Sequence, residues 1–447
     1  MNSRPPARPG HIGRIVAGSL ATGLVAGLLL MAAPFISPEE NGVTGALLCG
    51  FAVGWAVLAI LSTRYTDQPQ RWAAGPALFM GLSGLVLIGV GSPSRAVLNW
   101  VWPPALLALV IWMFLRVRRQ LHSRSGRWLL YPVFAVLAVA SLGGGYETVR
   151  EAMDASAYPM PGQLVDVGGH RLHLNCMGTG GPTVILQPGG GDFSSVMGWI
   201  APAVAAQTRV CVYDRAGRGW SDLTNGAQDA TQIAADLHAL LQRGNVPGPY
   251  VLAGHSFGGL YELTHANLYP ADVAGMVLID STNPATVADP AKATPYDSSS
   301  NDAVTDRVAA LAAAAARLGL VRLIGTASYG DLPPQARDEV RAKTATADYA
   351  SGWINEFVQA NASGAEAAML TDFAEKPLVV LTAGAETDAT HDAAQSKLAT
   401  LSKNSSHRVV DGASHPGLIT DQQYAKATTQ AILDLVTSVR NNQPLAK

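Results

Sequence analysis

The chain has 447 residues, a formal net charge of −2 and only 14% charged residues, with a mean hydropathy of +0.17. That length exceeds one ordinary domain, and that apolarity exceeds what a purely soluble protein carries.

The apolar excess lies at the N-terminus. Uncharged runs occupy Ile15–Ile36, Val43–Ser62, Trp72–Gly91, Ala96–Leu115 and Trp128–Gly145, each close to the roughly 20 residues that cross a bilayer as a helix. Arg4, Arg8 and Arg14 before the first run fit a cleaved signal peptide, but four further runs predict a permanent five-span membrane region over residues 1–145. Those three arginines, then Arg64 and Arg71, then Arg116, Arg118, Arg119, Arg124 and Arg127 fall in alternate connections. The pattern predicts a multi-pass cell-membrane protein with a cytoplasmic N-terminus and everything after Gly145 outside. No run contains Asp, Glu, Lys, Arg or His, which argues against a pump and for an anchor. Gly23 with Gly27, and Gly50 with Gly54, have the spacing that lets membrane helices pack closely.

At this boundary the charge changes sign. The first 145 residues hold 11 Arg, no Lys and 3 acidic residues, net +8, leaving 20 basic and 30 acidic residues, net −10, for the remainder. An acidic exterior domain has no electrostatic footprint for nucleic acid. Residues 146–161 read as a linker stopped by Pro159-Met160-Pro161, and residues 162–447 as the second domain. There Leu164–Val167 and Arg171–Leu174 flank Gly168-Gly169, a hairpin signal. Thr183–Gln187, Arg209–Tyr213, Tyr250–Ala253, Gly275–Asp280, Leu378–Thr382 and His407–Val410 read as buried strands with helical patterns between most of them. Such alternation predicts a largely parallel sheet covered on both faces, an α/β fold.

Gly254-His255-Ser256-Phe257-Gly258 joins one of these strands to a helical segment. This is the context of a G-x-S-x-G nucleophile elbow, whose glycines permit a turn tight enough to expose the serine oxygen. Leu186-Gln187-Pro188-Gly189-Gly190-Gly191 follows the third strand, and Tyr213-Asp214-Arg215-Ala216-Gly217-Arg218-Gly219-Trp220-Ser221-Asp222 follows the fourth. Gly412-Ala413-Ser414-His415 follows the last. In this order the motifs resemble the α/β-hydrolase superfamily over residues 162–440.

The resemblance implies a mostly parallel eight-stranded sheet with a helical cap inserted at about residues 281–376. It implies Ser256 as nucleophile and His415 as base, in the family's chain order of serine, acid, histidine. Asp388 fits the acid best, with Asp280 and Glu386 as alternatives. The oxyanion donors map onto the backbone N–H groups of Gly189 and Phe257, since Pro188 has none. In the family's sheet order Cys176 and Cys211 lie on neighbouring strands, so they are either a disulfide or two buried thiols.

The reaction class follows from the nucleophile. Epoxide- and halide-processing relatives carry aspartate at the elbow, so Ser256 points to cleavage of an ester or related acyl bond through an acyl-serine. Acyl transfer by the same residues, or a catalytically silent binding or sensor module, are the alternatives. No phosphate loop or zinc-protease signature is present, and no metal or cofactor is expected. The expected partner is a small-molecule or lipid-like acyl substrate, with Trp353, Ile354, Phe357 and Met369 as either pocket wall or the core of the cap.

Overall fold

The computed structural model describes residues 12–224, 226–287, 302–324, 329, 331–385 and 388–445. They divide into two compact units: residues up to Met153 together with Asp306–Leu323, and Asp154–Thr305 together with Ile324–Lys447.

The first unit is helical: α1 (Ile12–Ala32), α2 (Glu40–Tyr65), α3 (Ala74–Val90, entered through a 3₁₀ turn at Arg71–Ala73), α4 (Ser92–Gln120) and α5 (Arg124–Ala157). All five are long and apolar enough to cross a membrane. Leu29, Leu78, Leu82, Leu85, Val136 and Val139 are exposed on them, an outer face suited to hydrocarbon rather than water. The two glycine-spaced runs meet each other. A Cβ on Gly50 of α2 would lie 2.1 Å from the backbone nitrogen of Gly27 in α1, so only glycine permits that approach.

Two features of this unit depart from expectation. The stretch read as a linker is largely helical: α5 continues through Glu147, Arg150 and Glu151 and stops at Ala157, just before the prolines. A polar turn of good helix formers ends the hydropathy signal without ending the helix. The insertion after the sixth strand is also not one body, because its Asp306–Leu323 stretch clusters with the helical unit. Arginine explains the attachment. Arg317 Nε donates to Glu40 at 2.7 Å, Arg322 Nη2 to buried Glu147 at 2.7 Å, and Arg307 Nε to the Met31 carbonyl at 2.7 Å near the C-terminal end of α1.

The second unit is built on an eight-stranded sheet of order β1-β2-β4-β3-β5-β6-β7-β8. Its strands are β1 (Gln163–Asp166), β2 (Arg171–Met177), β3 (Thr183–Gln187), β4 (Val210–Tyr213), β5 (Tyr250–His255), β6 (Val273–Ile279), β7 (Leu378–Ala383) and β8 (Ser405–Val410). Only β2 runs against its neighbours; β3 to β8 are parallel. Strands β3, β4, β5 and β7 are buried at every position, as a sheet covered on both faces requires. Apart from α10 (Asp302–Arg317) and α11 (Leu320–Ile324), which fall largely in the first unit, the helices of this unit begin with α6 (Ile200–Ala205), α7 (Ala230–Arg243), α8 (Phe257–Leu268) and α9 (Pro284–Val287). They continue with α12 (Pro334–Lys343), α13 (Ala347–Phe357), α14 (Ala360–Ala367), α15 (Ala389–Ala399), α16 (Gly417–Thr420) and α17 (Gln422–Asn441). One apolar cluster sits on each face: Leu237, Leu241, Leu260 and Leu278 on one, Val204, Val251, Ile432 and Leu435 on the other.

Cys176 and Cys211 are directly paired across β2 and β4 and form a disulfide, S–S 2.08 Å. It closes a loop with a sequence separation of 35. Because the bridge restricts the unfolded chain, reduction is expected to lower unfolding stability by about 2 to 4 kcal/mol in urea titrations with and without reductant. An unchanged midpoint would contradict this.

Candidate active site

The site assembles at the C-terminal ends of the parallel strands, where β5 breaks into α8. Ser256 sits in that break with φ 54° and ψ −122°, a conformation that costs a non-glycine residue about 1 to 3 kcal/mol. It is held by its own backbone. The Ser256 N–H donates to the Ile279 carbonyl at 3.1 Å, while its carbonyl accepts from Gly259 N–H at 3.0 Å and Thr282 N–H at 3.1 Å. Gly258 is required by close approach, because a Cβ there would lie 2.4 Å from the Gln187 carbonyl oxygen. The elbow is thereby pressed against the loop that leaves β3.

That loop brings Gly189 to the serine. A Cβ built on Gly189 would be 3.2 Å from Ser256 Cβ and 3.1 Å from His255 Nδ1. Phe257 opens α8 and carries one of the first-turn N–H groups that have no acceptor within a helix. Over the loop stand Trp353 and Phe357 of α13, with ring centroids 4.4 Å apart; Phe357 lies 5.4 Å from the Phe257 ring. Of the other two candidate wall residues, Met369 is largely exposed and Ile354 is half-buried.

His415 enters from the loop after β8. Its Nδ1 donates to Asp280 Oδ2 at 2.6 Å, which leaves Nε2 as the nitrogen with a free lone pair. Its carbonyl accepts from His255 Nε2 at 3.0 Å, and the two rings lie 4.6 Å apart. Burial, reinforced by His415, pushes His255 down to about 3, so His255 is a neutral donor that ties the histidine loop to the elbow.

Of the carboxylates expected from the sequence, the structure brings the alternative Asp280, and not Asp388, to His415. Asp280, immediately after β6, faces His415, whereas Asp388 is the N-cap of α15 and accepts from the N–H groups of Thr390 at 2.9 Å and His391 at 2.8 Å. Both jobs ask for an aspartate shortly past a strand and before a helix, so local sequence cannot separate them. Glu386 lies outside the described residues. Asp280 is 3% exposed in its side chain and has φ 43°. Burial pushes its carboxyl up, but hydrogen bonds from His415, His391 and the Ala383 N–H outweigh this and hold it below the usual carboxylate value.

Beneath the glycine loop lies a buried ionic cluster. Arg215 donates to the carbonyls of Pro188 at 3.0 Å and Gly189 at 2.6 Å, and to Glu356 Oε1 at 3.0 Å. Glu356, on α13, also accepts from Arg218 Nη2 at 2.5 Å and the Tyr261 hydroxyl at 2.7 Å. Burial raises the Glu356 carboxyl, but the two guanidiniums outweigh it and hold it low. Glu356→Ala is expected to cost about 3 to 5 kcal/mol, because two cations would remain buried with no carboxylate between them. Equilibrium unfolding in urea checks this; a loss below about 1 kcal/mol would show that the arginines find other partners.

The neighbouring Asp214 is structural. It accepts from His173 Nδ1 at 2.8 Å, Ser194 N–H at 2.8 Å and Trp220 N–H at 3.0 Å, fixing the turn after β4. Among the described residues no group of three or more His, Cys, Asp or Glu side chains could hold a metal ion. Sequence reasoning overlooked His391, His255 and Glu356 as members of this site. His255 lay inside the elbow motif and His391 three residues after Asp388, both visible signals; Glu356, a lone acid in an Ala-rich insertion, offered none.

With this fold and geometry in view, the chain belongs to the alpha/beta hydrolase family, whose profile matches residues 184–427. It is 29% identical over 221 residues to an uncharacterized protein of Schizosaccharomyces pombe, a match covering 42% of this chain and 39% of that protein. The chain spans under half the length of the curated relatives it matches. Among solved structures it resembles a thermophilic esterase from Thermogutta terrifontis at 21% identity and TM-score 0.47, covering 62% of this chain and 98% of that one. An enol-lactonase from Burkholderia xenovorans matches at 20% identity and TM-score 0.48, covering 62% and 100%.

Proposed function

We propose that this chain is a membrane-anchored serine hydrolase that cleaves an ester or related acyl bond through an acyl-serine intermediate, with Ser256, His415 and Asp280 as its triad. The observation that carries the reading is the His415 Nδ1 hydrogen bond to buried Asp280, which leaves Nε2 available as a base, on a ring 4.6 Å from that of His255, the chain neighbour of Ser256. Ser256 Oγ attacks the acyl carbon while its proton passes to His415 Nε2, and Asp280 stabilises the resulting imidazolium. The N–H groups of Gly189 and Phe257 receive the oxyanion. Collapse of the tetrahedral intermediate breaks the bond to the leaving group, which takes the proton from His415. Water, deprotonated by the same imidazole, then releases the acid and restores Ser256. Trp353 and Phe357 beside the glycine loop favour an apolar acyl group.

A fluorophosphonate probe is expected to label the purified chain at Ser256, as mapped by peptide analysis, and acyl esters of graded chain length are expected to be hydrolysed. Absence of both would point to a silent binding module; acylation with transfer to a non-water acceptor would point to an acyltransferase. The five apolar helices act in this reading as the anchor, with the N-terminus cytoplasmic and the catalytic domain outside the cell membrane. The arginine pattern and the Cys176–Cys211 disulfide support that orientation. A reporter active only outside the cytoplasm, fused after Lys447, would be inactive if the orientation were reversed.

A further inference from the structure

We propose that His391 is a positioning residue of the triad, holding the Asp280 carboxylate in the orientation that serves His415. This rests on the triad reading given above. Two imidazoles share one buried carboxylate: His415 Nδ1 donates to Oδ2 at 2.6 Å and His391 Nε2 donates to Oδ1 at 2.8 Å. Oδ1 also accepts from the Ala383 N–H at 3.2 Å. The two donors on Oδ1 come from different elements, α15 and the end of β7, so they define the plane of the carboxylate and turn Oδ2 toward His415. A lone backbone donor would leave that plane free to rotate about the side-chain bond.

The attachment of each ring separates the roles. His415 uses Nδ1, the nitrogen nearer its own backbone, and keeps its outer nitrogen for proton transfer. His391 spends its outer nitrogen on Asp280, leaving only Nδ1 beside its own helix, which suits it to hold rather than to transfer. His391 is itself anchored, because its N–H is bonded by Asp388, the N-cap of α15, at 2.8 Å. The aspartate that caps the helix therefore acts on the site through His391. The charged group this ring contacts is Asp280, whose other oxygen is held by His415, while Asp388 accepts from the His391 backbone N–H. Residues Leu378–Ala383 of β7 add no charge.

The test uses the full-length chain with wild type, His391→Gln, His391→Asn, His391→Leu and His415→Gln. Three quantities are read: kcat and KM for p-nitrophenyl butyrate, the rate of fluorophosphonate labelling at Ser256, and the thermal midpoint. Gln places an N–H donor near the position of Nε2, so His391→Gln is expected within about threefold of wild type, while His391→Asn and His391→Leu lose about tenfold or more in kcat and labelling rate at unchanged KM. Asn keeps polarity but is too short to reach Oδ1, so it supplies the answer if Leu does not fold. His415→Gln is expected to abolish both reactions. Full activity in His391→Asn and His391→Leu, or equal losses in all three His391 variants, would overturn the proposal. So would a labelling-competent His415→Gln beside an inert His391→Gln, which would exchange the two roles. A wild-type chain that does not label at Ser256 fails earlier and removes the triad reading itself.

Discussion

Ser256→Ala is expected to abolish fluorophosphonate labelling and to reduce ester turnover by at least about a thousandfold, because the proposed triad has no attacking oxygen without it. The fold should survive. Alanine removes only the hydroxyl, and the elbow is held by the backbone bonds to Ile279, Gly259 and Thr282, which do not involve the side chain. Relief of steric strain is not expected either, since alanine keeps the Cβ that makes φ 54° unfavourable. The informative measurement is therefore kcat beside an unchanged far-ultraviolet spectrum and melting temperature. Turnover within tenfold of wild type would sink the acyl-serine mechanism, whatever the fold.

Replacing the two candidate acids should give opposite results. Asp280→Asn is expected to lower kcat on the order of 10³ to 10⁴-fold, because the amide neither stabilises the imidazolium nor holds His415 in the tautomer that leaves Nε2 bare. Asp388→Asn should remain within about threefold of wild type, since asparagine caps a helix as well as aspartate does. Asp388→Ala should cost about 1 kcal/mol of stability by leaving the first N–H groups of α15 without their acceptor. Steady-state kinetics and urea unfolding on the same preparations distinguish the two. A catalytic collapse in Asp388→Asn with normal turnover in Asp280→Asn would return the acid to the turn after β7.

Much of the architecture was legible along the chain because it depends on short-range signals. Uncharged runs of helical length mark α1 to α5, and a buried strand such as Thr183–Gln187 reads as a continuous apolar run between turn residues. The elbow is also local: two glycines, a serine, and a strand-to-helix change lie within one heptad of sequence. What local signals describe is where the backbone can turn and which faces avoid water.

The remaining features were decided only when distant segments met. Hydropathy placed the end of the membrane region at Gly145, yet α5 runs to Ala157, and arginines on an Ala-rich insertion attach to Glu40 and Glu147 of the helical unit. Asp388 had the right distance from a strand to be the acid, but so does any aspartate that caps the following helix. The carboxylate that meets His415 is Asp280 because β6 and β7 are parallel neighbours, and that pairing sets the end of β6 beside both Ala383 and the loop bearing His415. A carboxylate becomes a partner through its position in space across three strands, which separations of 103 and 135 residues along the chain do not encode. The sequence alone determined the elements and the chemistry available at their ends; the tertiary structure decided which of those groups share a hydrogen bond.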